Sequence, residues 1–162
     1  MLLGLLLAVG PHQDARGVEP VQTPVDLMKR ILKLSEAGEY DGIRHYLVPV
    51  RIGEMKLEEM LIGAIEKNDE RSSGDLAFSN KGLKSVIKKH GDAFKKDLNK
   101  FWKKEIGDLV PHAPELKGVP WEAYRVLEQG RINIVAVHLG KTYKLLFWEN
   151  LNQLIKQKKA RN

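Results

Sequence analysis

The spacing of apolar residues changes once along this chain. Up to about residue 106 they recur every three to four positions, as on helices, and from Trp121 onward they read as strands. Thr23-Pro24-Val25-Asp26 is a helix start, with a capping threonine, a proline suited to the first helical position and an acid in the first turn. Leu27, Ile31 and Leu34, flanked by Met28 and Leu32, form the apolar stripe of this first helix, and Gly38 is placed to end it. A second, shorter helix is predicted over Glu39–Leu47, carrying Tyr40, Ile43, Tyr46 and Leu47, and Pro49 stops it. Leu57, Met60, Leu61, Ala64 and Ile65 predict a third helix over Glu54–Lys67. The polar stretch Asn68–Asp75 then reads as an exposed loop, and Leu76–Phe78 as a short edge strand.

The longest helical pattern runs from Lys81 to Ile106. Leu83, Val86, Ile87, His90, Phe94, Leu98, Phe101, Trp102 and Ile106 lie along its apolar stripe, and lysines fill much of the rest. Pro111, Pro114 and Pro120 make Val110–Val119 an ordered loop. Three strand-like runs follow, WEAYRVL, RINIVAVHL and KTYKLLFW, separated by Glu128-Gln129-Gly130 and Gly140-Lys141. They predict a three-stranded antiparallel meander with short glycine-containing turns. The middle run is apolar on both alternating faces, so it belongs in the centre of the sheet. Asn150 then caps a last helix, Leu151–Lys158. Helices first and a meander last give an α+β fold, in which one long helix and the N-terminal helices cover the sheet.

This order of elements resembles the NTF2-like superfamily, a cone in which N-terminal helices and a long helix cover a curved antiparallel sheet. The residues carrying the resemblance are Leu27–Leu47, especially the Ala37–Leu47 turn AGEYDGIRHYL, with the long helix and the meander from Trp121 to Trp148. The extra helix over Glu54–Lys67 departs from the simplest version of that fold. The resemblance implies a pocket between the helices and the concave face of the sheet, used for ligand binding, for protein association and in some members for catalysis. On it, Tyr40, Tyr46, His90, Phe94 and His138 are the expected lining of a ligand pocket.

Composition narrows the alternatives. At 162 residues with 43% hydrophobic positions the chain is long enough for one packed domain and too apolar to be wholly disordered. It has no cysteine, which excludes disulfides, thiolate metal sites and thiol catalysis. Met1–Val9, MLLGLLLAV, has the length of a signal-peptide core and falls short of the roughly 20 residues of a membrane-spanning helix. No Lys or Arg precedes Leu2, so the usual positive flank of such a core is missing. On the leucine-rich run and the polar stretch after it, residues 1–22 are nonetheless expected to be a signal peptide and linker, cleaved after Gly17, and 23–162 a single domain, exported to the periplasm or beyond. A cytoplasmic protein with a buried leucine run is the alternative.

The formal charge of +6 is unevenly spread. Residues 81–104 carry nine lysines and two acids, and the tail from Lys156 adds a further +4, so the remainder is acidic. Lys84, Lys88, Lys95 and Lys103 are the candidate anion-binding surface, suited to phosphate backbones or anionic headgroups. A solvated helix face is the commoner explanation. Nucleic acid is disfavoured, because Phe94, Phe101 and Trp102 lie on the apolar stripe rather than among the lysines; a membrane surface stays open. His90 and His138 are the weak candidates for acid–base catalysis, each more often a satisfied core histidine. No histidine pair has zinc spacing and no phosphate loop, dinucleotide fingerprint or nucleophile elbow is present, so no metal or cofactor is expected. The leading expectation is non-catalytic binding of a small ligand or protein partner. An enzyme using a pocket histidine, and a basic-helix binder of nucleic acid or anionic membrane, are the alternatives; homodimerisation through an exposed sheet edge is compatible with all three.

Overall fold

A computed structural model describes residues 18–70, 79–90, 100–129 and 132–149. Its element order is α1 (Pro24–Glu36), α2 (Tyr40–Ile43), β1 (Arg51–Ile52), β2 (Met55–Lys56), α3 (Leu57–Glu70), α4 (Asn80–His90), α5 (Lys100–Leu109) and the strands β3 (Trp121–Gln129), β4 (Ile132–Leu139) and β5 (Thr142–Glu149). This is the expected α+β arrangement, closed by an antiparallel meander of order β3-β4-β5. Among the described residues no helix is long and apolar enough to cross a membrane.

Helix α1 begins where its sequence signals place it. The Thr23 hydroxyl accepts from the Asp26 N–H at 3.1 Å and donates to the Asp26 carboxylate at 2.8 Å, so one side chain fastens the first turn twice. Val25, Leu27, Met28, Ile31 and Ser35 are its buried residues. Buried Ser35 donates to Asn80 on α4 at 2.6 Å, a polar contact between the two helices. Gly38, at φ +70°, turns the chain toward α2, and the turn is fastened by the Glu39 N–H donating to the Leu34 carbonyl at 2.9 Å. The predicted second helix is shorter than expected: α2 has four residues and tightens into a 3₁₀ turn at Arg44–Tyr46.

The third helix is displaced. Residues 51–56 form a two-stranded hairpin, turning at Gly53 with φ +64°, so α3 starts at Leu57 rather than Glu54 and continues to Glu70. A Gly-Glu turn between two-residue strands is too short for periodicity to reveal. Glu58 and Ile62 are buried with Leu57, Leu61 and Ile65, whereas Met60 is 44% exposed, so the buried arc is rotated away from the Met60 side of the predicted stripe. The Glu58 carboxylate explains the rotation. It accepts from the Val50 N–H at 3.1 Å and pairs with the Arg51 guanidinium, clamping the hairpin to the first turn of α3. On the exposed side Arg44 forks onto Glu59 at 2.7 and 2.9 Å and also reaches Asp41, tying the 3₁₀ turn to α3.

In the sheet, β4 is central as expected, and Ile134, Val135, Ala136 and Val137 are all buried. Leu139 pairs with Thr142 around the Gly140-Lys141 turn, and a bulge between Arg125 and Leu127 interrupts the β3–β4 register. Leu145, Leu146, Phe147 and Trp148 of β5 are buried in succession, so both faces of the sheet are covered at that end. Trp148 Nε1 donates to Glu105 on α5 at 2.8 Å, and Lys144 pairs with Glu115, which places α5 and the 3₁₀ segment after it on the face shared by Leu146 and Trp148. Helices α1 and α3 also contact β5. The outer edge of β5 is covered: Tyr143 N–H donates to Val21 at 3.0 Å and Val48 N–H to Leu145 at 2.8 Å. Val21 is thus part of the folded body, although it lies in the stretch expected as linker.

The helical pattern over Lys81–Ile106 is described as α4 and α5. The residues between them, the leader, the Leu76–Phe78 strand and the Leu151–Lys158 helix all lie outside the described residues.

Two glycines predict opposite outcomes. A Cβ at Gly38 meets nothing within 4 Å but must adopt a left-handed φ, so Gly38→Ala is expected to lower stability by about 1–2 kcal/mol. A Cβ at Gly63, inside α3, also meets nothing within 4 Å, and Gly63→Ala is expected to raise stability by about 0.5–1 kcal/mol. Thermal unfolding of the two variants checks both signs. Urea unfolding of Glu58→Ala is expected to show a loss of about 2–3 kcal/mol, because the Val50 N–H and the Arg51 charge lose their acceptor together. Wild-type stability in that variant would show that the clamp contributes nothing.

Candidate functional site

Of the predicted pocket residues, Tyr40, Tyr46 and His138 have described side chains. Tyr40 begins α2 and Tyr46 ends the following 3₁₀ turn, both half-buried. His90 is the last residue of α4, and its side chain, like all of Phe94, lies outside what is described. His138 is near the end of β4, half-buried, with its ring stacked on Tyr143 at 4.5 Å between centroids and 26° between planes.

The sheet register explains what surrounds His138. Glu122, His138 and Tyr143 are directly opposite one another on β3, β4 and β5, so the three side chains form a row on one face. Tyr124, one pleat along, packs edge-on to Tyr143 at 5.8 Å and donates to Glu122 at 3.3 Å. All four are half-buried, whereas Ile134, Ala136, Leu145 and Phe147 further along the same face are buried. The cover thus ends before this row. A carboxylate, an imidazole and two phenols side by side have the functional groups for proton transfer. The stacked geometry, however, lays the Tyr143 phenol over the face of the imidazole, and a relay between them needs an O–H directed at a ring nitrogen in the ring plane. What the arrangement supplies as it stands is an aromatic shelf.

A concavity lies elsewhere, along the outer side of α1. An open groove of about 300 Å³ is lined by Pro20, Val21, Gln22, Asp26, Lys29, Arg30 and Lys33. One wall is α1 and the other is the segment that enters it. That segment is held in place by Val21, whose N–H donates to Thr142 Oγ1 at 2.9 Å and whose carbonyl accepts from Tyr143. The groove and the aromatic row are therefore fastened to the same end of β5.

The groove is cationic. Arg30 donates to Glu19 at 3.3 Å, and hydrogen bonding to the Tyr46 side chain and then to Glu19 holds its pKa above the ordinary guanidinium value. The Asp26 carboxylate is engaged by the Thr23 hydroxyl. Lys29 and Lys33, one helical turn apart on the same wall, have no acidic partner among the described residues. Like charges at this spacing destabilise a helix by a few tenths of a kcal/mol, a penalty that a bound anion relieves. By sequence alone Lys29, Arg30 and Lys33 are indistinguishable from the solvated side of an amphipathic helix, and none of them is among the expected site residues. The legible signal is the i, i+4 lysine pair; the opposite wall is not legible, because it depends on Val21 pairing with a strand 121 residues away.

Of the candidate anion-binding lysines, Lys84, Lys88 and Lys103 are exposed, the first two on α4 and the third on α5, and Lys95 lies outside the described residues. Lys84 pairs with Glu36 at the end of α1 at 2.5 Å. Among the described residues no group of three or more histidine, aspartate or glutamate side chains is placed to hold a metal ion. Comparison of the chain with family models, with curated proteins and with solved structures gives no match.

Proposed function

We propose that this chain is an exported binding domain that holds a small molecule bearing a phosphate or carboxylate group in the groove along α1, without performing chemistry on it. One observation carries the reading: Lys29 and Lys33, without an acidic partner among the described residues, stand on the wall of a groove whose third cation, Arg30, is held by Glu19 at 3.3 Å. Fixing that guanidinium before a ligand arrives removes part of the ordering cost of binding. Binding is favoured over catalysis by the stacking of His138 on Tyr143, which lays the phenol over the imidazole face rather than in the ring plane. Kinship with the NTF2-like superfamily belongs to this proposal, supported by the order of short helices followed by a meander. Export rests on the apolar run Met1–Val9.

Titration of the chain with inorganic phosphate and with citrate, followed by amide NMR shifts, tests the groove. Shifts are expected at Val21, Gln22, Lys29, Arg30 and Lys33, and Lys29→Gln with Lys33→Gln is expected to weaken binding at least about tenfold. Shifts confined to other parts of the molecule, or affinity unchanged in the double variant, would overturn the assignment. Export is tested by the intact mass and cell fraction of the protein made in a bacterial host. The expected result is an exported form lacking the 17 residues through Gly17; a full-length mass in the cytoplasmic fraction would refute it.

A further inference from the structure

We propose that the outer face of α4 is a docking surface for an anionic lipid bilayer. Its sequence, NKGLKSVIKKH, contains four lysines and no acid. Leu83 is buried, Val86 and Ile87 are half-buried, and the helix packs against α1. Lys81, Lys84 and Lys88, at spacings of three and four, therefore share a stripe on the opposite side, with Lys89 beside it, and all four are exposed. From Lys81 to Lys89 the stripe is about 12 Å long. Its one acidic contact among the described residues is Glu36 on Lys84, so Lys81, Lys88 and Lys89 present charge to solvent without a described acidic partner. Lys103 and Lys104 on α5 are exposed as well.

The chemistry of these residues favours lipid over nucleic acid. All nine lysine and arginine positions between residues 81 and 104 are lysines. Lysine is a flexible point charge without the planar fork that reads base edges or grips one phosphate bidentately. Such a surface suits a fluid plane of negative charge that imposes no fixed spacing. Val86 and Ile87 pack against the core on the other side of the helix, and the lysine stems let the ammonium groups reach outward from the exposed face.

The test is sedimentation of the full chain with vesicles of phosphatidylcholine, with and without about 30% phosphatidylglycerol, an anionic fraction that attracts polybasic segments, at low and at moderate salt. Binding is expected on the anionic vesicles alone and is expected to weaken steeply as salt rises. Lys81→Gln, Lys88→Gln and Lys89→Gln are each expected to cost about fivefold in affinity, with circular dichroism unchanged because all three side chains are exposed. The Lys29→Gln, Lys33→Gln variant of the groove is expected to bind vesicles like wild type, which separates this surface from the anion site proposed above. Absence of binding to anionic vesicles at low salt, equal binding to neutral ones, an unaltered affinity in the variant carrying all three α4 substitutions, or tighter binding to a single-stranded oligonucleotide than to the vesicles would each overturn the proposal.

Discussion

Strand β5 is hydrogen-bonded along both edges and buried on both faces from Leu145 to Trp148, and α1, α3 and α5 pack around that stretch. Its inner edge pairs with β4 from Thr142 to Glu149. Its outer edge receives Val21 and the Leu47–Val48 segment, two stretches from the opposite end of the chain. Four consecutive buried residues, Leu145–Trp148, demand cover on both sides, and α1, α3 and α5 supply it. A polypeptide edge left bare in an apolar interior is costly, because each unpaired N–H or C=O there forfeits about the free energy of a hydrogen bond. The chain meets that requirement by bringing its N-terminal segments back to the last strand.

The groove and the aromatic row follow from this closure. The groove along α1 exists because Val21 is zipped to Thr142 and Tyr143, which holds Pro20–Gln22 beside the helix rather than letting the segment diverge from it. The aromatic row Glu122–His138–Tyr143 stays half-open because the cover extends over Leu145 and Phe147 and stops there. The lysine face of α4 looks outward because its opposite side is packed on α1, through Leu83 and the Ser35–Asn80 hydrogen bond, while Lys84 at the edge of that face reaches Glu36. Polar contacts at the margin of an apolar seam contribute little net energy, yet they fix the rotation of one helix against another.

Charge is used in two ways in the molecule. Arg44 with Glu59, and Arg51 with Glu58, join neighbouring elements; the Arg44 guanidinium holds the Glu59 carboxyl below its ordinary pKa chiefly through their hydrogen bonds. Both pairs concern the short α2–α3 region, where two-residue strands and a four-residue helix bury too little surface to fix themselves. The lysines of α1 and α4, by contrast, gather on outward faces where they repel one another. The first pattern holds the fold together and the second is available for recognition.

Local chemistry alone determined several features of this protein: the Thr23 cap and Gly38 stop of α1, the meander with its two-residue turn at Gly140-Lys141, the central place of β4, and the α+β class. Each is set by residues within a few positions of one another, where capping, turn geometry and period are read directly. Tertiary structure alone decided that α3 starts at Leu57, that Glu58 is buried while Met60 is exposed, that Val21 belongs to the core, and that the groove lies outside α1. These depend on which distant strand edge needs a partner and which carboxylate is drawn in to satisfy a loop N–H. Periodicity says which residues of a helix are apolar; the angle at which that helix meets the sheet is fixed by the polar groups that must be satisfied around it.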